Sequence, residues 1–401
     1  MWGKGTSRQL VAAVLGLGLL GTGCGSGGAD APGAADGASE DGPIVIGVIA
    51  DLTGPFAVYG TNVSRNVQLA AEEINAAGGV DGRQLEVIVE DIQTDVAATV
   101  DKSRKLVQSD GVDVVIGPIG SDANDAALQT VVTEGETILM YPQVYEGGKC
   151  DPLFFHTGAT PAQQVPGLIE RLQAEYGPKA LLFGADYVWP RRSFEVAKPV
   201  IEAGGGEVVG EVYLPLVADD YSELISAVRE SQPDYIFSLY PAVYGAAVKA
   251  LDDAGLLDDD LGMGTIFLGE ESLPTLGDLG TGTYTTLPFF TDAQGDGVDD
   301  FVARYRAAYG DDAVPGGGET LGAYAAVHLY AQAVAAAGTT ESTAVAAALA
   351  GQSFEGPTGT VTMTDSHHLQ QPIQTARVNE DGVYEFVEVF DAVEPGESCQ
   401  P

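Results

Sequence analysis

The 401-residue chain carries 58 Asp and Glu against 18 Lys and Arg, a formal net charge of −40. With no basic patch to neutralise phosphates, a nucleic-acid binder is excluded; the acidity reads as solubilising surface, or as a face for a basic ligand or partner. The length suffices for two domains with separate cores, and three cysteines are few for a secreted scaffold that depends on disulfides.

In chain order, residues 1–23 stand apart from the fold. Lys4 and Arg8 supply a positive start, and Leu10 to Leu20 is an apolar stretch of signal-peptide length, too short to span a bilayer. Gly21-Thr22-Gly23-Cys24 resembles a lipobox, although Gly21 stands where a large aliphatic residue is usual. Cys24 is therefore the expected lipidation site, with simple secretion as the alternative. Residues 24–43 are small, polar and acidic, and are expected to form a flexible tether. No later segment is long and apolar enough to be a transmembrane helix.

From residue 44 the pattern alternates between strand and helix. Ile44 to Ala50 is a near-continuous apolar run, as a strand buried on both faces should be. Helical spacing over Val63 to Ala77 ends at Gly78-Gly79, a C-cap signal. Strands at 85–89, 112–116 and 137–141 alternate with helices at 97–109 and 122–132. This β-α-β rhythm predicts a parallel sheet covered by helices. Phe154 to Gly158 reads as a crossing into a second lobe. That lobe is expected to hold strands at 180–183, 208–213, 235–239 and 265–268, with helices at 191–203, 221–230 and 242–254. Thr283 to Phe290 reads as a return crossing, followed by helices over 298–309 and 320–336 and strands near 360–364, 373–378 and 383–390.

The fold class predicted is α/β, with two doubly wound parallel-sheet lobes joined by a multi-strand hinge. One lobe comprises 44–160 plus 287–365, the other 161–286 plus 366–393, and 394–401 is a tail. Cys150 and Cys399 remain as an even pair in an oxidising compartment and are a possible disulfide; two free thiols are the alternative.

An enzyme has little to work with here. The histidines are His156, His328, His367 and His368, and no HExxH, paired CxxC, GxSxG or GxxxxGK[ST] pattern occurs. The adjacent His367 and His368 are a weak metal signal, read as packing or surface. No catalytic residue, metal or cofactor is expected.

Ligands of doubly wound sheets sit outside the carboxyl ends of the strands. Ser121, entering a helix after the third strand, reads as an N-cap whose neighbouring N–H groups could receive a carboxylate or carbonyl, or as a structural cap alone. Tyr141 and Gln143 follow the fourth strand, Tyr187 leaves the first strand of the second lobe, and Tyr240 leaves the third. Tyrosine offers a flat face and one hydrogen-bonding group, but is also ordinary packing material. Glu270 and Glu271 could pair with an ammonium or accept from an amide, or simply favour a helix start.

These stretches resemble the type I periplasmic-binding-protein family, in its branched-chain amino acid, amide and urea group, over nearly all of 44–391. Thr53-Gly54-Pro55-Phe56-Ala57-Val58-Tyr59-Gly60 and Ala71-Glu72-Glu73-Ile74-Asn75-Ala76-Ala77-Gly78-Gly79-Val80 match that group's opening. Tyr141 to Gly147, Asp186 to Arg191, and Gly351 to Pro357 running on to His368-Leu369 look closer to the urea and short-chain-amide branch. The resemblance implies pocket positions at Ser121, Tyr141, Gln143 and Tyr187, a phenol over the ligand at Tyr59, and an ammonium partner at Glu270 or Glu271. The loop Pro118 to Ala123 and the stretch Tyr240 to Tyr244 depart from the urea binders' pattern.

The resulting expectation is a non-enzymatic, lipid-anchored binding protein on the outer face of the cytoplasmic membrane. It would capture a small amide, urea or related nitrogen compound by lobe closure and dock on ABC permease subunits. The alternatives are a branched-chain or neutral amino acid binder and a ligand sensor without transport.

Overall fold

The computed structural model describes residues 42–258, 260–293 and 296–396. The expected signal segment and Cys24, the tether up to residue 41, and Cys399 lie outside the described residues. Cys150 is disulfide-bonded.

The apolar run at the start becomes β1 (Ile44–Ala50). It is followed by α1 (Ala57–Ala76), β2 (Leu85–Asp91), α2 (Val96–Lys105), β3 (Val114–Ile116), α3 (Ser121–Ala127), β4 (Ile138–Tyr141) and β5 (Phe154–His156). π-helical turns extend α2 and α3 through Asp110 and Thr133. The five strands form a parallel sheet in the order β2-β1-β3-β4-β5. Buried positions of α1 at Tyr59, Val63, Val67 and Ala70 recur three or four residues apart, as one face of a helix laid on the sheet requires. This helix starts six residues earlier than the periodicity indicates. Gly54, at φ +92°, turns the chain there, so Tyr59 rides in the first helical turn.

The second lobe opens with α4 (Pro161–Glu175), which the sequence reading omits. Then come β6 (Lys179–Ala185), α5 (Val188–Ala203), β7 (Glu207–Leu214), α6 (Ser222–Ser231), β8 (Tyr235–Leu239), α7 (Tyr244–Asp253), β9 (Gly262–Thr265) and β10 (Tyr284–Leu287). The chain continues through α8 (Asp296–Tyr309), α9 (Thr320–Ala337), α10 (Ser342–Leu349), β11 (Ser353–Gly356), β12 (Gly359–Met363), β13 (Leu369–Val378) and β14 (Tyr384–Val393). The parallel strands β7-β6-β8-β9-β10 are extended by antiparallel β13, which also pairs with β12 and β14.

Two hydrophobic cores result. One packs β1–β5 with α1, α8 and α9; the other packs β6–β9 with α4, α5 and α7. The sheets are tied where His156 bridges to His368 and the His156 N–H donates to the His367 carbonyl at 2.8 Å. The architecture is the two-lobed α/β fold that the alternating pattern predicts. No helix among the described residues is long and apolar enough to cross a membrane.

Candidate functional site

Strand ends of both sheets converge on one partly open cleft between the lobes, the edge at which doubly wound sheets take their ligands. The first lobe contributes Phe56 and Tyr59 from the β1 exit and start of α1, Ile119 and Ser121 after β3, and Gln143 and Val144 after β4. The second contributes Tyr187 and Trp189 after β6, Pro241 after β8 and Phe267 after β9, and Gly318 precedes α9. All but Gly318 follow the carboxyl end of a strand, because the helix returning over a parallel sheet leaves only that edge open.

The walls are aromatic. Phe56 and Tyr187, from opposite lobes, have ring centroids 6.3 Å apart, and Phe56 meets Tyr59 edge-on at 6.4 Å. Tyr187 neighbours Trp189 at 6.3 Å, and Trp189 meets Phe267 edge-on at 6.2 Å. The buried Trp189 indole N–H has no hydrogen-bond acceptor among the described residues, so a polar atom entering the cleft can relieve a cost.

Polar groups on the first-lobe side are held in place. Ser121 is the first residue of α3, with Gly120 as the cap residue, in place of the expected serine cap. Its hydroxyl donates to Glu146 Oε2 at 2.7 Å. Lys149 Nζ lies 3.0 Å from both Glu146 Oε1 and Asp125 Oδ1. The Val144 N–H donates to Gln143 Oε1 at 2.8 Å, which leaves the amide N–H groups of Gln143 as its donors toward the cleft.

The opposite pole is acidic. The Tyr59 hydroxyl and Ser272 Oγ are 3.4 Å apart, and Ser272 Oγ donates to Glu271 Oε1 at 3.3 Å. Asn62 Nδ2 donates to the buried Glu319 at 3.0 Å. The Asp292 N–H donates to Glu270 Oε1 at 3.3 Å. Oε2 of Glu270 and of Glu271 is shielded from solvent without a donor among the described residues. No ion pair reaches Glu270, Glu271 or Glu319 among the described residues. Burial, with the neighbouring charge of Glu271, pushes the Glu270 carboxyl up to about 8. Burial likewise raises Glu271. Glu319 is raised by burial first and by the charge of Glu271 second.

The structure thus brings Tyr59, Ser121, Gln143 and Tyr187 to the cleft, with Glu271 behind Tyr59. Glu270 faces a separate groove with Asp278, Asp292, Glu380 and Asp381. Tyr141 is fully buried behind the wall, its hydroxyl donating to the Ile119 carbonyl at 2.6 Å. The ring of Tyr240 packs 4.8 Å from Phe183 in the second core, and its hydroxyl donates to the Pro215 carbonyl at 2.6 Å; the adjacent Pro241 reaches the cleft instead. Sequence reasoning passed over Phe56, Trp189, Phe267 and Glu319. Glu319 had a signal, the run Gly316-Gly317-Gly318 before a helix, which marks a close backbone approach.

The periplasmic binding protein family matches residues 43–383. A leucine-, isoleucine-, valine-, threonine- and alanine-binding protein of Pseudomonas aeruginosa is 30% identical over 340 residues, covering 82% of this chain and 87% of the relative. A branched-chain amino acid transporter substrate binding protein from Streptococcus pneumoniae, solved in complex with isoleucine, superposes with a TM-score of 0.71 at 26% identity. That match covers 87% of this chain and 99% of the other. A solute binding protein of an ABC transporter from R. palustris, solved with 4-hydroxybenzoate, gives a TM-score of 0.79 at 21% identity, covering 88% and 98%.

Proposed function

The chain belongs to the periplasmic binding protein family, the substrate-binding proteins of ABC transporters, and we propose that its ligand is an α-amino acid with a small apolar side chain. The observation that carries this reading is the pairing of aromatic walls with an acidic pole that has no cation. The ammonium would be drawn to Glu271, where burial strengthens its attraction. The carboxylate would meet N–H groups at the start of α3 and the Gln143 amide, and the side chain would fill the space among Phe56, Tyr187 and Trp189. The amino-acid-binding relative at 30% identity supports the same class.

A neutral amide or urea needs only hydrogen bonds and gains little from a buried carboxylate without a cation. The resemblance to the urea and amide branch therefore ranks second. Neither protein named above as an amino-acid binder adds support to that branch.

Binding is read as closure, because only a ligand that prefers the closed lobes shifts their equilibrium. The closed form would then dock on permease subunits on the extracytoplasmic side, with the chain held by lipid at Cys24. Palmitate labelling that survives Cys24→Ser would refute the anchor.

The test is a thermal-shift screen of the purified full chain against L-leucine, L-isoleucine, L-alanine, acetamide and urea. A ligand at about 100 times its Kd adds about 2.7 kcal/mol of stability. A raised Tm with the amino acids alone supports the reading. A rise with acetamide or urea alone transfers the protein to the amide branch, and no rise with any of the five overturns both.

A further inference from the structure

Glu271 alone can seat an ammonium, yet a second buried carboxyl stands beside it with no assigned task. Glu319 is 1% exposed and flanks the same glycine run that Glu271 touches. A Cβ on Gly316 would lie 2.6 Å from Glu319 Oε1. A Cβ on Gly317 would lie 3.0 Å from the Gly269 Cα, and one on Gly269 would lie 2.3 Å from Glu271 Oε2. Gly318 and Tyr59, the residues in front of the two acids, both line the cleft.

Two ionised carboxylates in so enclosed a place repel each other and have lost most of their hydration. The groups facing them offset only part of that cost, the backbone N–H groups of Gly269, Glu271 and Gly317 at Glu271 included. Asn62 donates to Glu319 and Ser272 to Glu271. Tyr59, Tyr305 and Tyr384 present phenols, Glu270 is a third carboxyl held up to about 8 by burial, and Asp292 stands beside Glu270. Arg65, the cation acting on Tyr305, forms no ion pair with any of the acids.

Resting on the amino-acid reading above, we propose that Glu319 is a second acid of the ammonium pole, protonated in the empty site and deprotonated when the ligand binds. With the site empty and the pH above the value of about 7 to which burial raises Glu271, the proton lets Glu319 sit beside an ionised Glu271. When the ammonium arrives its charge replaces that proton, which leaves to solvent. The site then holds two carboxylates and one cation, and no other bond is made or broken. Glu319 is thus a positioning residue that gates affinity by pH. The upward shift of both carboxyls agrees with this order of events.

The experiment is calorimetric titration of the full chain with L-leucine between pH 7.5 and 8.5, where Glu271 is ionised, in buffers of different ionisation heat. The expected result is release of about one proton per leucine, with Kd tightening about tenfold per pH unit. Glu319→Gln keeps the size and the Asn62 bond but removes the proton, so its profile should be nearly flat with little release. Glu270→Gln should keep the wild-type slope. Leucine binding by the wild type with no proton release overturns the proposal and leaves the amino-acid reading intact. So does a Glu319→Gln slope equal to the wild type's. If Glu319→Gln does not fold, the wild-type proton count alone decides. Failure of leucine and every other amino acid to bind overturns both readings.

Discussion

Glu270 and Glu271 are adjacent in sequence but differ in what surrounds them. Glu271 sits behind Tyr59 through Ser272, whereas Glu270 accepts from the Asp292 backbone and faces an acidic groove. Removing one partner of a buried charge pair costs about 2–5 kcal/mol. Glu271→Gln should therefore weaken L-leucine binding at least about thirtyfold, and Glu270→Gln should change it only a few-fold at one pH; equal losses in calorimetry would erase the distinction. Gly316 offers a second test at this scale. Its φ is +90°, and a Cβ there would lie 2.2 Å from Asn62 Nδ2. Gly316→Ala should lower stability by about 1–3 kcal/mol and disturb the Asn62–Glu319 bond. An unchanged Tm would show that this turn tolerates a side chain. Half of the site was legible at this scale. Strand-exit logic found Ser121, Gln143 and Tyr187, because a parallel sheet dictates where its ligand edge lies. The same logic nominated Tyr141 and Tyr240, since it cannot tell which way a side chain leaves a strand end; both phenols turn inward to backbone carbonyls.

Helix α4 is where the element pattern was hardest to read, and its chemistry explains why. Pro166 interrupts the run, and Gln163 and Gln164 occupy buried positions where the periodicity asks for apolar residues. These glutamines act as staples. Gln164 Nε2 donates to the Ile266 and Thr286 carbonyls at 3.1 and 2.6 Å, and Gln163 Nε2 donates to the Leu369 and Val393 carbonyls at 2.9 and 2.8 Å. One helix thereby fastens the run after β9, β10, β13 and β14. Gln164→Leu keeps the volume but removes both donors, and should destabilise by about 1–3 kcal/mol, measurable by urea unfolding. No loss would mean that the two carbonyls are satisfied without it. The strands and long helices that the sequence did reveal, such as β1, β8 and α9, are the ones whose burial is almost wholly apolar. Where buried polar side chains replace apolar ones, hydrophobic periodicity carries no signal.

At the scale of the whole molecule, the unpaired acids give the empty protein a pH-dependent stability whose sign can be worked out. The Glu270 carboxyl is raised from 4.5 to about 8 by burial, and Glu271 and Glu319 are raised as well. Below pH about 4.5 these groups are protonated in both states. As pH rises toward 8 the unfolded chain gives up protons that the folded chain keeps, so stability falls. Buried histidines act in the opposite sense. His328 is lowered to about 4 and His156 is also lowered by burial, so their effect is half spent at about pH 6.5 and nearly gone by about pH 7.5, as the unfolded histidines become neutral. Above pH 6.5 the acids increasingly set the slope, with an upper limit of about 1.4 kcal/mol per pH unit for each carboxyl still protonated. A fall in Tm of about 1–2 °C per kcal/mol follows for a chain of this size. General repulsion among the surface carboxylates of a chain with net charge −40 would give the same sign, but salt screens that term and leaves buried groups almost untouched. The expected outcome is a Tm that falls from pH 6.5 to 8 at high salt, and less steeply in Glu319→Gln. A slope that vanishes in salt would assign the effect to the surface and leave the acidic pole without a thermodynamic signature.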